Sequence, residues 1–193
     1  MLQLFKSKIR AGLLRLFFYN PQKEFYIRQL AKILNTSAGN AQKELRKLEA
    51  DAIIKSKKMG NLRIYTLNQT LPLYPVLQQI ITKTIGIESV LKENLKYLPG
   101  IKYAFIFGSY AKGELKADSD IDLFIVGNIN EDGLLKIIKN VEKMILRDIN
   151  YHIDTSKSFH EKLKEKYFYR EITQKYILLT ENDDEFRKFI QQT

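Results

Sequence analysis

GSYAKGELKADSDIDLFIVG, residues 108–127, sets a Gly-Ser pair ten residues ahead of two aspartates, Asp120 and Asp122, that flank one isoleucine at the head of an apolar run. The preceding IKYAFIF predicts a strand over 102–107 and IDLFIVG a second one, with a turn or two of helix between them. Side chains alternate faces along a strand, so both carboxylates emerge on one side while Ile121 and Leu123 turn to the other. Two acids about 6–7 Å apart repel each other unless something positive lies between them. A hard divalent cation meets that need. Mg²⁺ binds carboxylate and phosphate oxygens together, so the pair is a candidate site for metal and a nucleoside triphosphate. Gly108 removes the Cβ that would hold a phosphate off the backbone, and Ser109 opens the following helix, where free N–H groups and a hydroxyl favour an anion.

Downstream, EDGLLKIIKNVEKMIL predicts a helix and RDINYHIDT a third strand, with Asp148, Asn150, His152 and Asp154 on one face at two-residue spacing. FHEKLKEKYFYREITQ then has helical spacing, padded by Phe159, Tyr167 and Phe168; KYILLT reads as a strand and NDDEFRKFI as a final helix. Asp183, Asp184 and Glu185 fit a solvated helix start rather than a ligand cluster.

Upstream the charge changes. Residues 1–70 carry 14 Lys and Arg against 4 Asp and Glu, whereas residues 71–193 carry 18 of each, so the whole net charge of +10 sits in the first third. A basic block joined to a neutral one implies separate tasks, the first facing a polyanion such as nucleic acid. Leu4, Phe5, Ile9, Leu13, Leu14, Leu16 and Phe17 keep helical spacing until Asn20-Pro21 ends it. Ile27, Leu30, Ala31 and Leu34 predict a second short helix, and Ser37 caps a third, AGNAQKELRKLEA, with its apolar stripe at Ala41, Leu45 and Leu48. Two short helices across a tight turn form a helix-turn-helix, and DAIIKSKKMGNLRIYTLN adds a hairpin, or wing, turning at Gly60-Asn61. The candidate DNA contacts are Ser37, Asn40, Gln42, Lys43, Arg46 and Lys47 on the third helix and Lys57, Lys58 and Arg63 on the wing. Asn40 and Gln42 would read base edges in a major groove, the lysines of the third helix would meet phosphates, and the wing would follow the backbone or the minor groove. QTLPLYP, with prolines at 72 and 75, predicts a linker near 69–75 into one long helix over 75–98, which Pro99-Gly100 ends.

The Gly-Ser pair, the spacing and Asp120-Ile121-Asp122 between apolar strands resemble the signature of the polymerase-β-like nucleotidyltransferase superfamily, especially its minimal members. The likeness is strongest over residues 100–155, where FIFGSYAKGE, SDIDLFIVG and RDINYHI follow in series. The order along the chain also resembles bacterial and archaeal proteins that join an N-terminal winged helix to such a domain. The resemblance implies an α/β (α+β) chain, with a winged helix-turn-helix over 1–70 and a nucleotidyltransferase-fold domain over 71–193 whose mixed sheet is flanked by helices. It implies Mg²⁺ or Mn²⁺ and ATP or another nucleoside triphosphate, with Gly108 and Ser109 holding the triphosphate and Asp120 and Asp122 ligating metal. Active members of the superfamily usually carry a third carboxylate on a later strand, which deprotonates or orients the attacking hydroxyl. Here the apolar-flanked slot, Ile149-Asn150-Tyr151, holds an amide, and an amide is no base. Asp148 would replace it with a shift of register, unless it is a surface residue paired with Arg147 or a lysine; His152 would serve as a base on the same face, unless it is a structural hydrogen-bonder, the commoner role of a lone strand histidine.

Cysteine is absent, which excludes disulfides and thiolate metal sites, and two histidines are too few for a histidine-built zinc centre. No stretch reaches the roughly 18–20 uncharged residues of a membrane span. The N-terminal segment carries Lys6, Lys8, Arg10 and Arg15 and no small-residue cleavage site, so it reads as an amphipathic helix. These features predict a soluble, cytoplasmic protein without a membrane partner. The expected function is Mg-dependent transfer of NMP to a hydroxyl, coupled to a unit that binds double-stranded DNA, where two half-sites would favour a homodimer. The alternative is a nucleotide-sensing transcriptional regulator with a catalytically weak or inactive second domain. Asn150 favours the regulator and the acid pair favours the enzyme; a third reading, an antitoxin-like modifier of a partner protein, leaves the acceptor open between protein and small molecule.

Overall fold

The computed structural model describes Phe5, residues 7–114 and residues 119–191, so Leu4 and Lys6 of the first predicted helix and residues 115–118 ahead of the acid pair lie outside the described residues. Contacts divide the chain into Met1–Ser89 with Lys143–Leu146, and Val90–Glu142 with Arg147–Thr193.

In the first unit α1 (Lys8–Tyr19) starts at Ser7, whose Oγ accepts the Arg10 N–H, and its inward stripe buries Leu13, Leu14, Leu16 and Phe17 completely. β1 (Phe25–Tyr26), α2 (Ile27–Ile33), α3 (Ala38–Ala50) and the hairpin β2 (Ile54–Met59) and β3 (Leu62–Leu67) follow, with strand order β1-β3-β2. The short β1 is hidden in sequence by the helical spacing after it. Phe25 sits edge-on to Phe17 at 5.2 Å and is fully buried, which fixes the pairing of Phe25 with Tyr65. α4 (Tyr74–Ile85) adds Leu77, Ile80, Ile81 and Ile85 to this core, so packing with the first unit runs further along the chain than the charge step at residue 70.

The helix expected over 75–98 is two helices, α4 and α5 (Ile87–Leu95). Gly86 parts them with ψ −173°, and a Cβ there would overlap the Thr82 carbonyl. The Tyr19 hydroxyl accepts the Ile87 N–H at 2.9 Å. An intruding phenol thus takes a donor that a continuous helix would keep for itself, and only glycine lets the chain pass so close.

The chain continues through β4 (Ile101–Phe107), α6 (Gly108–Lys112), β5 (Ile121–Gly127), α7 (Glu131–Ile145), β6 (Ile149–Asp154), α8 (Ser156–Glu165), α9 (Tyr167–Ile172), β7 (Ile177–Leu178) and α10 (Asp183–Gln191), all in the second unit except the end of α7 from Lys143. The sheet order is β6-β5-β4-β7; β5 and β6 are parallel, joined through α7, while β4 is antiparallel to both of its neighbours. The helical stretch predicted after Ser156 breaks into α8 and α9 at Lys166, which takes an extended conformation. One sheet face presents Tyr103, Phe105, Phe107, Phe124 and Val126 to Phe159 and Leu163 of α8, Ile172 of α9 and Phe186 of α10. The alternate residues Ala104, Ile106, Leu123 and Ile125 are fully buried on the other face. Among the described residues no helix is long and apolar enough to cross a membrane.

Candidate active site

Register brings the predicted site together. Phe107, the last residue of β4, pairs with Asp122, and Asp122 pairs with Asn150 on β6, so Gly108, Asp120, Asp122 and Asn150 meet at one end of the sheet. Gly108 has φ +70°, and a Cβ on it would overlap Asp122 Oδ2. Glycine is therefore demanded twice, by the left-handed backbone and by the carboxylate against it. Ser109 is the second residue of the one-and-a-half-turn α6; its carbonyl accepts the Glu114 N–H at 2.8 Å.

The electrostatics of the pair are unfavourable as they stand. Burial first, and the Asp120 charge second, push the Asp122 carboxyl above its usual range, against the opposing pull of Asn150 and His152. Asn150 donates its Nδ2–H to Asp120 Oδ2 at 3.0 Å. No lysine or arginine among the described residues forms an ion pair with either aspartate. Two carboxylates beside a Cβ-free glycine form an oxygen donor set of the kind that a hard divalent cation takes, and the excess negative charge fits such an ion.

The other acids on β6 part company. Asp148 is exposed just ahead of the strand, where its carbonyl accepts the Ile121 N–H at 3.0 Å. Among the described residues no group of three His, Cys, Asp or Glu side chains is placed to hold a metal ion. Asp154 lies at the far end and is buried under Lys162 Nζ at 2.6 Å, Tyr169 Oη at 2.6 Å and Ser158 Oγ at 2.9 Å. His152 is exposed, with its ring against Phe124, Phe107 and Phe168. The approach of Phe168 to this corner had no sequence signal, because the break at Lys166 resets the helical phase between α8 and α9.

In the first unit Asn40, Lys43, Arg46 and Lys47 are exposed on α3 and Gln42 is half-buried. The Ser37 hydroxyl is occupied as the cap, accepting the Asn40 N–H at 3.1 Å. Several of the cations have carboxylate partners that long-range sequence reading did not reveal. Lys57 pairs with Glu24 at 2.6 Å, Lys47 with Glu44 at 3.1 Å, and Arg63 with Glu49 at 3.3 Å, while Arg63 Nε also donates to Ser56 Oγ at 2.7 Å. The Arg63 pair ties the hairpin to α3.

The nucleotidyltransferase domain family matches residues 87–179. A Methanocaldococcus jannaschii protein named as a protein adenylyltransferase, MJ0604, is 34% identical over 71 residues, which span 35% of this chain and 68% of that protein. A crystal structure of a toxin-antitoxin with AMP-PNP aligns at 14% identity and TM-score 0.40, covering 54% of this chain and 82% of that one. A Sulfolobus solfataricus chain named as a nucleotidyltransferase aligns at 21% identity and TM-score 0.27, covering 47% of this chain and 73% of that one. With the acid pair and Gly-Ser turn inside the matched residues, the chain belongs to the nucleotidyltransferase domain family.

Proposed function

We propose that the second unit binds a nucleoside triphosphate with Mg²⁺ or Mn²⁺ and transfers its NMP group to a hydroxyl, and that the first unit is a winged helix-turn-helix that binds double-stranded DNA. The observation that carries the enzymatic reading is the acid pair, Asp120 and Asp122, held against Gly108 without a cationic partner among the described residues. A divalent cation ligated by the two carboxylates would neutralise the triphosphate and polarise the phosphoryl group under attack. The chain's own residues do the rest. The bare Gly108 backbone admits a phosphate oxygen, the Ser109 hydroxyl donates to another, and the Asn150 amide holds Asp120 in place. The acceptor oxygen bonds to the α-phosphorus, the bond from that phosphorus to the bridging oxygen breaks, and pyrophosphate leaves. The name of the Methanocaldococcus relative supports AMP as the transferred group and a protein hydroxyl as the acceptor.

Asn150 supports a second reading, a nucleotide-sensing regulator with weak catalysis, because the residue in register with Asp122 cannot take the acceptor's proton. Asp148 is the proposed acid in that role for the enzyme. Incubation with labelled ATP, Mg²⁺ and cell lysate separates the readings. Transfer that disappears in Asp120→Asn/Asp122→Asn and falls in Asp148→Asn supports the enzyme; triphosphate binding without transfer supports the sensor. For the first unit, gel shifts with genomic fragments across a salt series should show affinity falling steeply with salt. An absence of binding at low salt would remove the DNA reading. Its geometric support is the α2–α3 turn followed by the β2–β3 hairpin, with exposed Asn40, Lys43, Arg46 and Lys58. A homodimer and a cytoplasmic location go with this reading.

A further inference from the structure

Three near-parallel rings cross the sheet of the second unit. Phe105 stacks on Phe124 at 5.4 Å and 7°, and Phe124 on His152 at 5.8 Å and 18°. The first two are fully buried, whereas His152 is exposed on β6, the outer strand of the sheet. The row therefore ends at solvent, with no fourth parallel ring among the described residues. The other aromatic neighbours of His152 are inclined to it, Phe107 by 46° and Phe168 by 60°. Phe168 is 40% exposed and also meets Phe107, the residue before Gly108, at 5.9 Å. Imidazole and phenyl ring thus form a two-walled aromatic corner left open to solvent.

The corner sits one side-chain step from the acid pair. His152 follows Asn150 by two residues on the same face, about 7 Å along the strand, and Asn150 is in register with Asp122. That separation suits a ribose lying between a phosphate at the aspartates and a flat ring at His152. We infer that His152 and Phe168 stack the nucleobase of the triphosphate, extending the row of rings by one. The inference rests on the acid pair holding the phosphates.

Stacking of a base on an aromatic side chain strengthens binding by about tenfold or more. The test is calorimetry on the full chain with Mg²⁺ present, using two probes, ATP and inorganic tripolyphosphate, which carries the phosphates without a base. The wild type should bind ATP at least about tenfold more tightly than tripolyphosphate. Phe168→Ala should erase most of that preference while leaving tripolyphosphate affinity unchanged, His152→Ala should also reduce the ratio of the two affinities, and Phe168→Tyr should keep it. Retained tripolyphosphate binding shows that the Phe168 variant is folded, and the two substitutions lie on different elements. A preference that persists in both alanine variants, or a wild type that binds the two probes equally, overturns the inference while the acid-pair reading stands; the corner would then be open for an aromatic ring of the acceptor. A wild type that binds neither probe overturns both.

Discussion

Asp122 and Asp154 lie on the same face of one sheet, at its two ends, and their surroundings are opposite. Asp154 is buried, and that burial works against its charge, but Lys162, Tyr169 and Ser158 outweigh it and hold the carboxyl below its usual range. Asp122 has burial and the like charge of Asp120 acting together, so its carboxyl is pushed up. One end of the sheet is electrostatically complete and ties α8 and α9 to β6. At the other end no lysine or arginine among the described residues pairs with the acids. That contrast is the electrostatic ground for the cation proposed at the incomplete end.

Substitution should separate the two ends. The largest effect expected is on chemistry: Asp120→Asn/Asp122→Asn should lower NMP transfer to an acceptor by about 10²–10³-fold or more, measured with labelled ATP. The same variant should unfold in urea at or above the wild-type midpoint, since it removes a repulsion. Asp154→Ala should do the reverse, losing about 2–3 kcal/mol in a urea titration as three donors lose their acceptor, with transfer reduced only through instability. If both variants destabilise equally, the contrast between the two ends is wrong.

The two carboxylates should also pull stability in opposite directions with pH. The folded-state pKa of Asp154 is depressed, so its contribution is full above the unfolded value near 3.8 and is lost as pH falls through the lower folded value. For Asp122 the folded value is raised, so the protonated group favours folding below 3.8, and that advantage is lost as pH rises through the folded value. Urea titrations from pH 3 to 6 should therefore show a flatter rise with Asp154→Asn and a steeper one with Asp122→Asn. Identical slopes in all three proteins would remove the electrostatic argument.

The smallest effects belong to the first unit, where Lys47, Lys57 and Arg63 resemble Asp154 in having partners. Lys57 and Glu24 are both largely exposed, so breaking their pair with Glu24→Gln should change stability by less than about 1 kcal/mol. Lys57→Ala should nevertheless lower the dependence of DNA affinity on salt by about one counterion, read from gel shifts. An unchanged salt slope would mean that Lys57 serves only Glu24.

Much of this arrangement was legible because it is local. Alternation along IDLFIVG put both aspartates on one side, the caps and stripes of α1 and α3 are written in Ser7, Ser37 and the spacing of their leucines, and the amide at position 150 was visible as a departure. What escaped depends on partners distant in sequence. The Tyr19 hydroxyl that divides α4 from α5 is 68 residues from its donor, Ile87. The register that sets Asn150 beside Asp122, the donors that neutralise Asp154, and the pairing of Arg63 with Glu49 all arise only when the chain closes. The ring row ending at His152 is of the same kind, since it needs three strands in order.

The most direct test is a calorimetric titration of the full chain with ATP at fixed Mg²⁺, wild type against Asp122→Asn. The wild type should bind, and the variant, equally well folded, should lose at least about tenfold in affinity and lose its Mg²⁺ requirement. Undiminished, Mg²⁺-dependent binding by Asp122→Asn would contradict the claim that the incomplete end of the sheet exists to hold a metal-bound triphosphate.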